Sequence, residues 1–181
     1  MTAAVQINRL ATGVEGLDQV LGGGVPEYSF NLIAGLPGCG KTTLAHQLMF
    51  AMATPARPAL YFTVLGEPPL KMLRYQQQFA FFDAARVGEC VRFVNLGEEV
   101  MGGDLSRVLA RIVAEVKAHA PGLVFVDSFR SVLLSADPGT GGGNGVPLFV
   151  QQLGVLMSGW QATTFLIGEY GDGIDAHPVL T

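Results

Sequence analysis

Charge is scarce in this chain. Only 14% of its 181 residues are Asp, Glu, Lys or Arg, against about a quarter in an average soluble protein. After Arg130 there is no Lys or Arg at all, and the only charged side chains are Asp137, Glu169, Asp172 and Asp175. Through Arg130 acidic and basic groups balance, so the net charge of -4 comes from this last segment. Nucleic-acid affinity depends on neutralising phosphates, so this lack of basic residues argues against a nucleic-acid surface on the last third. The same absence excludes an arginine finger from that stretch. Cysteine is also rare: Cys39 and Cys90 alone make neither a disulfide framework nor a zinc site. No apolar run approaches the roughly 18 residues that would span a bilayer. The start, Met1-Thr2-Ala3-Ala4-Val5-Gln6-Ile7-Asn8-Arg9, lacks the basic-then-apolar order of a signal peptide. These absences point to a cytoplasmic protein with no membrane partner. With 49% hydrophobic residues, either surface is buried between subunits or part of the fold lies elsewhere.

Glycine is abundant, and one cluster of it carries chemistry. Gly35-Leu36-Pro37-Gly38-Cys39-Gly40-Lys41-Thr42 is a G-x-x-x-x-G-K-T phosphate-binding loop. The apolar run Phe30-Asn31-Leu32-Ile33-Ala34 precedes it, and a helical pattern opens at Thr43. Glycines let the backbone wrap an anion with N–H groups turned inward, and the helix adds its positive dipole end. The motif assigns phosphate binding to Gly35, Pro37, Gly38, Cys39, Gly40, Lys41, Thr42 and Thr43. In it Lys41 reaches the β- and γ-phosphates and the Thr42 hydroxyl ligates Mg²⁺. Cys39 reads foremost as a small loop residue, with redox control a minor alternative.

Five strand-like runs, near residues 29–35, 59–65, 91–96, 122–127 and 162–168, alternate with helical patterns near 42–53, 69–81, 104–119 and 147–159. The third helix is the clearest, with Leu105, Val108, Leu109, Ile112, Val113 and Val116 on one face. Asp104 is its N-cap and Pro121-Gly122 its stop. Pro68 and Pro69 suit the first turn of the second helix. Alternation of this kind predicts an α/β fold whose parallel sheet is covered on both faces. Phe79, Phe81 and Phe82 read as core, with an oligomer interface as the alternative. Residues 138–147 are rich in glycine and read as a mobile loop, or one that orders on assembly.

A phosphate loop needs an acidic partner at the end of a buried strand. Leu123-Val124-Phe125-Val126-Asp127 supplies it, making Asp127 the second Mg²⁺ residue beside Thr42. Hydrolysis also requires a carboxylate that orients water. Glu67 follows the strand 59–65, and ligands collect at the carboxyl ends of parallel strands. Glu67 is therefore the candidate base, and Glu169, at the end of 162–168, is a candidate sensor of phosphate or metal.

Taken together, Thr12-Gly13-Val14-Glu15-Gly16-Leu17-Asp18, Leu21-Gly22-Gly23-Gly24-Val25-Pro26, the phosphate loop, Leu65-Gly66-Glu67-Pro68-Pro69, Val126-Asp127-Ser128 and Ala162-Thr163-Thr164-Phe165-Leu166-Ile167-Gly168-Glu169 resemble the KaiC branch of the RecA-like ATPases. The resemblance runs from about Leu10 to Glu169. It implies a RecA-like P-loop NTPase domain across residues 1–181, a three-layer α/β/α fold with a mainly parallel sheet. It further implies ATP with Mg²⁺, Ser128 and Glu169 in the nucleotide site, Lys41 and Glu67 as the catalytic pair, and homo-oligomers that are often hexameric rings. Members include circadian-clock and signalling ATPases, some with autokinase activity.

Three departures shape the expectations. A single carboxylate, in Gly66-Glu67, stands where the family has two adjacent glutamates, which points to slow hydrolysis. Thr181 comes before the family's further strands, so the phosphate-loop strand is expected at an exposed sheet edge of a C-terminally truncated fold. The basic finger and the phosphorylated Ser/Thr region of kinase-active members are not represented. The expected activity is slow ATP hydrolysis coupled to assembly or signalling. The alternatives are a non-hydrolysing ATP switch that binds a signalling partner and a serine/threonine autokinase.

Overall fold

A computed structural model describes residues 7–64, 69–134 and 145–169. Glu67, most of the glycine-rich 138–147 segment and the residues after Glu169 lie outside this range.

The chain begins with a small antiparallel pair, β1 (Arg9–Leu10) and β2 (Val25–Pro26), flanking the short helix α1 (Leu17–Val20). Asp18 Oδ1 accepts from the Thr12 backbone N–H at 2.8 Å and Arg9 Nη1 donates to the carbonyls of Leu21 and Gly24. The Gly13 backbone is left-handed, and a Cβ there would stand 2.5 Å from the Ala51 Cβ. The upstream signature is therefore a latch that seats this segment on the helix behind the phosphate loop.

Then follow β3 (Phe30–Gly35), α2 (Lys41–Met52), β4 (Ala59–Thr63), α3 (Pro69–Gln76), β5 (Val91–Asn95), α4 (Gly97–Met101), α5 (Leu105–His119), β6 (Leu123–Asp127), α6 (Phe129–Leu134), α7 (Gly145–Gly159) and β7 (Thr163–Glu169). The five long strands form one parallel sheet in the order β3-β7-β6-β4-β5. Among the described residues β3 and β5 are the two edge strands, with Phe30 on β3 45% exposed.

The sheet separates two apolar layers, which makes the fold a three-layer sandwich. Tyr61, Phe125, Phe165 and Ile167 face α2, whose Ala45, Leu48, Met49 and Met52 pack on them. Leu60, Phe62, Val124, Val126 and Leu166 face the opposite layer, built from α5, α6 and α7. Alternation along each strand produces this division. On α5, Val108, Ile112 and Val116 are fully buried, each burial stabilising by about 1.5–3 kcal/mol. The Asp104 carboxylate caps α5 by accepting from the Ser106 N–H at 2.9 Å.

Helix α3 stops at Gln76 rather than continuing to 81. Its chain turns tightly there, with Gln78 and Phe79 N–H groups reaching back three residues to Tyr75 and Gln76 carbonyls. This folds Phe82 onto Phe50, ring centroids 5.2 Å apart. Phe81 and Phe82 thus join the core, whereas Phe79 stacks on Phe81 and remains 41% exposed.

Candidate functional site

The site lies where α2 begins. Gly40 is the residue before the helix, in a left-handed conformation (φ 89°) that a side chain resists. Its carbonyl accepts from the Leu44 N–H at 2.9 Å, so the helix starts with its free N–H groups toward the loop. The far end of α2 is held by arginines from elsewhere: Arg57 donates twice to the Met52 carbonyl, and Arg86 donates to the carbonyls of Phe50 and Ala53. Leu36, Pro37, Gly38, Cys39 and Gly40 are exposed, whereas Lys41 is buried and Thr42 half-buried. The Lys41 ammonium donates to the Leu36 carbonyl at 2.7 Å and lies 3.8 Å from Cys39 Sγ. Its charge is already inside the loop, satisfied by an acceptor that a phosphate oxygen can replace. Thr43 follows on the first turn of α2.

Asp127 ends β6, 5% exposed, and receives two hydroxyl donors on one oxygen. Thr42 Oγ1 and the Tyr61 hydroxyl each donate to Asp127 Oδ2 at 2.7 Å. Burial pushes the Asp127 carboxyl above its ordinary range; the Thr42 and Tyr61 hydrogen bonds and the Lys41 charge oppose this, and Glu169 reinforces it. Burial, then the charge of Asp127, raises the Tyr61 hydroxyl well above its usual value.

Mg²⁺ prefers hard oxygen ligands, of which a few come from protein and the rest from water or phosphate. The Thr42 hydroxyl donates its proton to Asp127 and keeps its oxygen lone pairs available, so hydroxyl and carboxylate together fit the ion. Glu169 closes β7, in register with Gly35, the first residue of the loop. The structure thus brings Gly35, Lys41, Thr42, Asp127 and Glu169 to one end of the sheet. Ser128 is adjacent, but its hydroxyl faces Ser131, at 2.9 Å from Ser131 Oγ, and accepts from the Ser131 N–H at 3.2 Å at the start of α6.

Sequence reading missed Tyr61 and His46. The His46 ring is fully buried on α2, 4.5 Å from the Tyr61 ring and 5.8 Å from Phe93. Desolvation lowers its pKa to about 4, against a weaker opposing effect from Gln76. The Gln76 side chain faces it, yet neither ring nitrogen nor Gln76 Oε1 completes a hydrogen bond. For Tyr61 the available signal was a phenol in a largely apolar strand, Ala59–Thr63, two residues before its end and therefore on the same face as Thr63.

A strand, a phosphate loop and a helix, with a buried Asp at the end of a nearby parallel strand, define a RecA-like nucleotide-binding domain. The KaiC ATPase family matches residues 10–179, and the chain belongs to that family. It is 34% identical over 169 residues to the DNA repair protein RadA of Mycobacterium tuberculosis strain H37Rv, covering 92% of this chain and 32% of RadA. It is 29% identical over 140 residues to a circadian clock oscillator protein KaiC of Prochlorococcus marinus, covering 74% of this chain and 28% of KaiC. The chain thus spans about a third of the length of these relatives. The crystal structure of a KaiC-like protein from Pyrococcus horikoshii OT3 has the same fold, with TM-score 0.77 at 22% identity, covering 97% of this chain and 76% of that one.

Proposed function

We propose that this chain is a Mg-ATP-binding ATPase domain that hydrolyses ATP slowly, with turnover coupled to self-assembly or signalling in the cytoplasm. The observation that carries this reading is the Thr42–Asp127 hydrogen bond at the mouth of the phosphate loop. In the proposed mechanism the N–H groups of the loop through Thr43 hold the phosphates and fix their orientation. Lys41 leaves the Leu36 carbonyl and donates to the terminal phosphates. Thr42 and Asp127 hold Mg²⁺, which when bound neutralises phosphate charge as a Lewis acid. Glu67 is proposed to orient the attacking water, and Glu169 to sense the γ-phosphate. Ser128 is proposed to line the same site.

ATP turnover, measured with sedimentation of the same sample with and without Mg-ATP, tests this. Turnover that rises with assembly supports an inter-subunit ATPase of the homo-oligomeric kind; no turnover at any assembly state defeats it. A non-hydrolysing switch that answers to a protein partner is the second reading, favoured by the single glutamate in Gly66-Glu67. Autokinase activity would appear as radiolabel transferred from γ-labelled ATP to protein. DNA repair is the property of RadA; the lack of Lys and Arg after Arg130 argues against DNA binding here, and a salt-sensitive DNA shift would reverse that view.

A further inference from the structure

We propose that Tyr61 is a positioning residue for the metal site, clamping the Asp127 carboxylate in the orientation that receives Mg²⁺. The proposal rests on the Mg-nucleotide reading of the phosphate loop.

Tyr61 is fully buried on β4, which lies beside β6 in the sheet. Its ring stacks against Phe125 (5.8 Å, 17°) and is tilted on Phe93 (5.5 Å) and His46 (4.5 Å). A phenylalanine would make all of these contacts. The hydroxyl is the part that packing does not require, and burying it is unfavourable unless it is bonded. Its bond goes to Asp127 Oδ2, 66 residues away, at 2.7 Å.

Strand register explains the reach. Thr63 is paired with Asp127 and Tyr61 with Phe125, so Tyr61 lies one same-face step behind the carboxylate and extends along the sheet to meet it. Thr42 approaches the same oxygen from α2, also at 2.7 Å. Two donors from two separate elements therefore fix the rotation of one carboxylate. A ligand group held this way loses less freedom when the cation arrives, as with the outer partners of metal ligands generally. Tyr61 acts through Asp127 and needs no contact with nucleotide.

The test is the equilibrium affinity for ATP, measured by calorimetry in Mg²⁺ and again in EDTA, for the wild type, Tyr61→Phe, Asp127→Asn and the double variant. The ratio of the two affinities reports metal coupling, independently of turnover. Tyr61→Phe is expected to reduce that ratio about tenfold, to leave the EDTA affinity unchanged, and to add nothing in the Asp127→Asn background. A purely structural tyrosine would lower both affinities together or neither. An unchanged ratio in Tyr61→Phe, or an equal loss in the Asp127→Asn background, overturns the Tyr61 proposal alone. A wild type that binds no ATP under either condition defeats the nucleotide reading, and this proposal with it.

Discussion

Thr42 and Asp127, 85 residues apart, meet through a 2.7 Å hydrogen bond from the hydroxyl to carboxylate oxygen Oδ2. Helix α2 delivers the first residue and strand β6 the second, and the packing of α2 on Phe125, Phe165 and Ile167 holds them together. The contact joins the phosphate loop to the acidic end of the sheet before any ligand arrives. In such a preorganised site each charge-bearing group should have a separable effect.

Replacing Lys41 with Ala removes the charged donor now held by the Leu36 carbonyl. A hydrogen bond to a charged group contributes about 1.5–3 kcal/mol, so ATP affinity should fall by roughly 10- to 150-fold. Calorimetric titration reads this directly, and wild-type affinity in Lys41→Ala would remove Lys41 from the site.

Glu67→Gln should keep ATP affinity within about twofold and lower turnover by roughly 10²- to 10⁴-fold, the contribution of a positioned general base. Steady-state phosphate release alongside a binding titration separates the two effects. Unchanged turnover would show that another group orients the water.

His46 makes stability depend on pH. Its pKa is lowered to about 4 in the folded chain by burial, against about 6.5 when unfolded. The folded state therefore disfavours the protonated ring. Stability from the neutral ring is complete above about pH 6.5 and is lost as pH falls toward 4, by about 3 kcal/mol in all. Thermal melts across this range should show the decline. His46→Leu should flatten it, and a parallel decline in that variant would assign the effect to other groups.

Gly13→Ala should destabilise the chain by about 2–5 kcal/mol, combining left-handed backbone strain with overpacking against Ala51. Adding Ala51→Gly should restore the packing part only. Denaturant melts of the wild type and the two variants check this; full recovery in the double variant would mean that the backbone carries no strain.

The parallel sheet and the loop were legible because their signals are local. The phosphate loop is contiguous, Asp127 ends an unbroken apolar run, and the stripe on α5 has a helical period with its cap in place. The two-residue strands β1 and β2 were missed because each exists only through its partner. Helices α4 and α6, at five and six residues, are too short to show a period. The length of α3 was overestimated because the chain turns back at Tyr75–Phe79 and carries Phe81 and Phe82 onto α2 instead of continuing the helix. Tyr61 was missed because its partner comes from a strand that only the tertiary fold brings alongside.

The most direct test of the account is ATP binding with and without Mg²⁺, compared between the wild type and Asp127→Asn. Mg²⁺ should tighten binding to the wild type by at least about tenfold and Asp127→Asn should lose this gain, since losing even an outer partner of a metal ligand typically costs about 10- to 100-fold in metal affinity. Equal Mg²⁺ enhancement in both proteins would contradict it and take Asp127 out of the metal site.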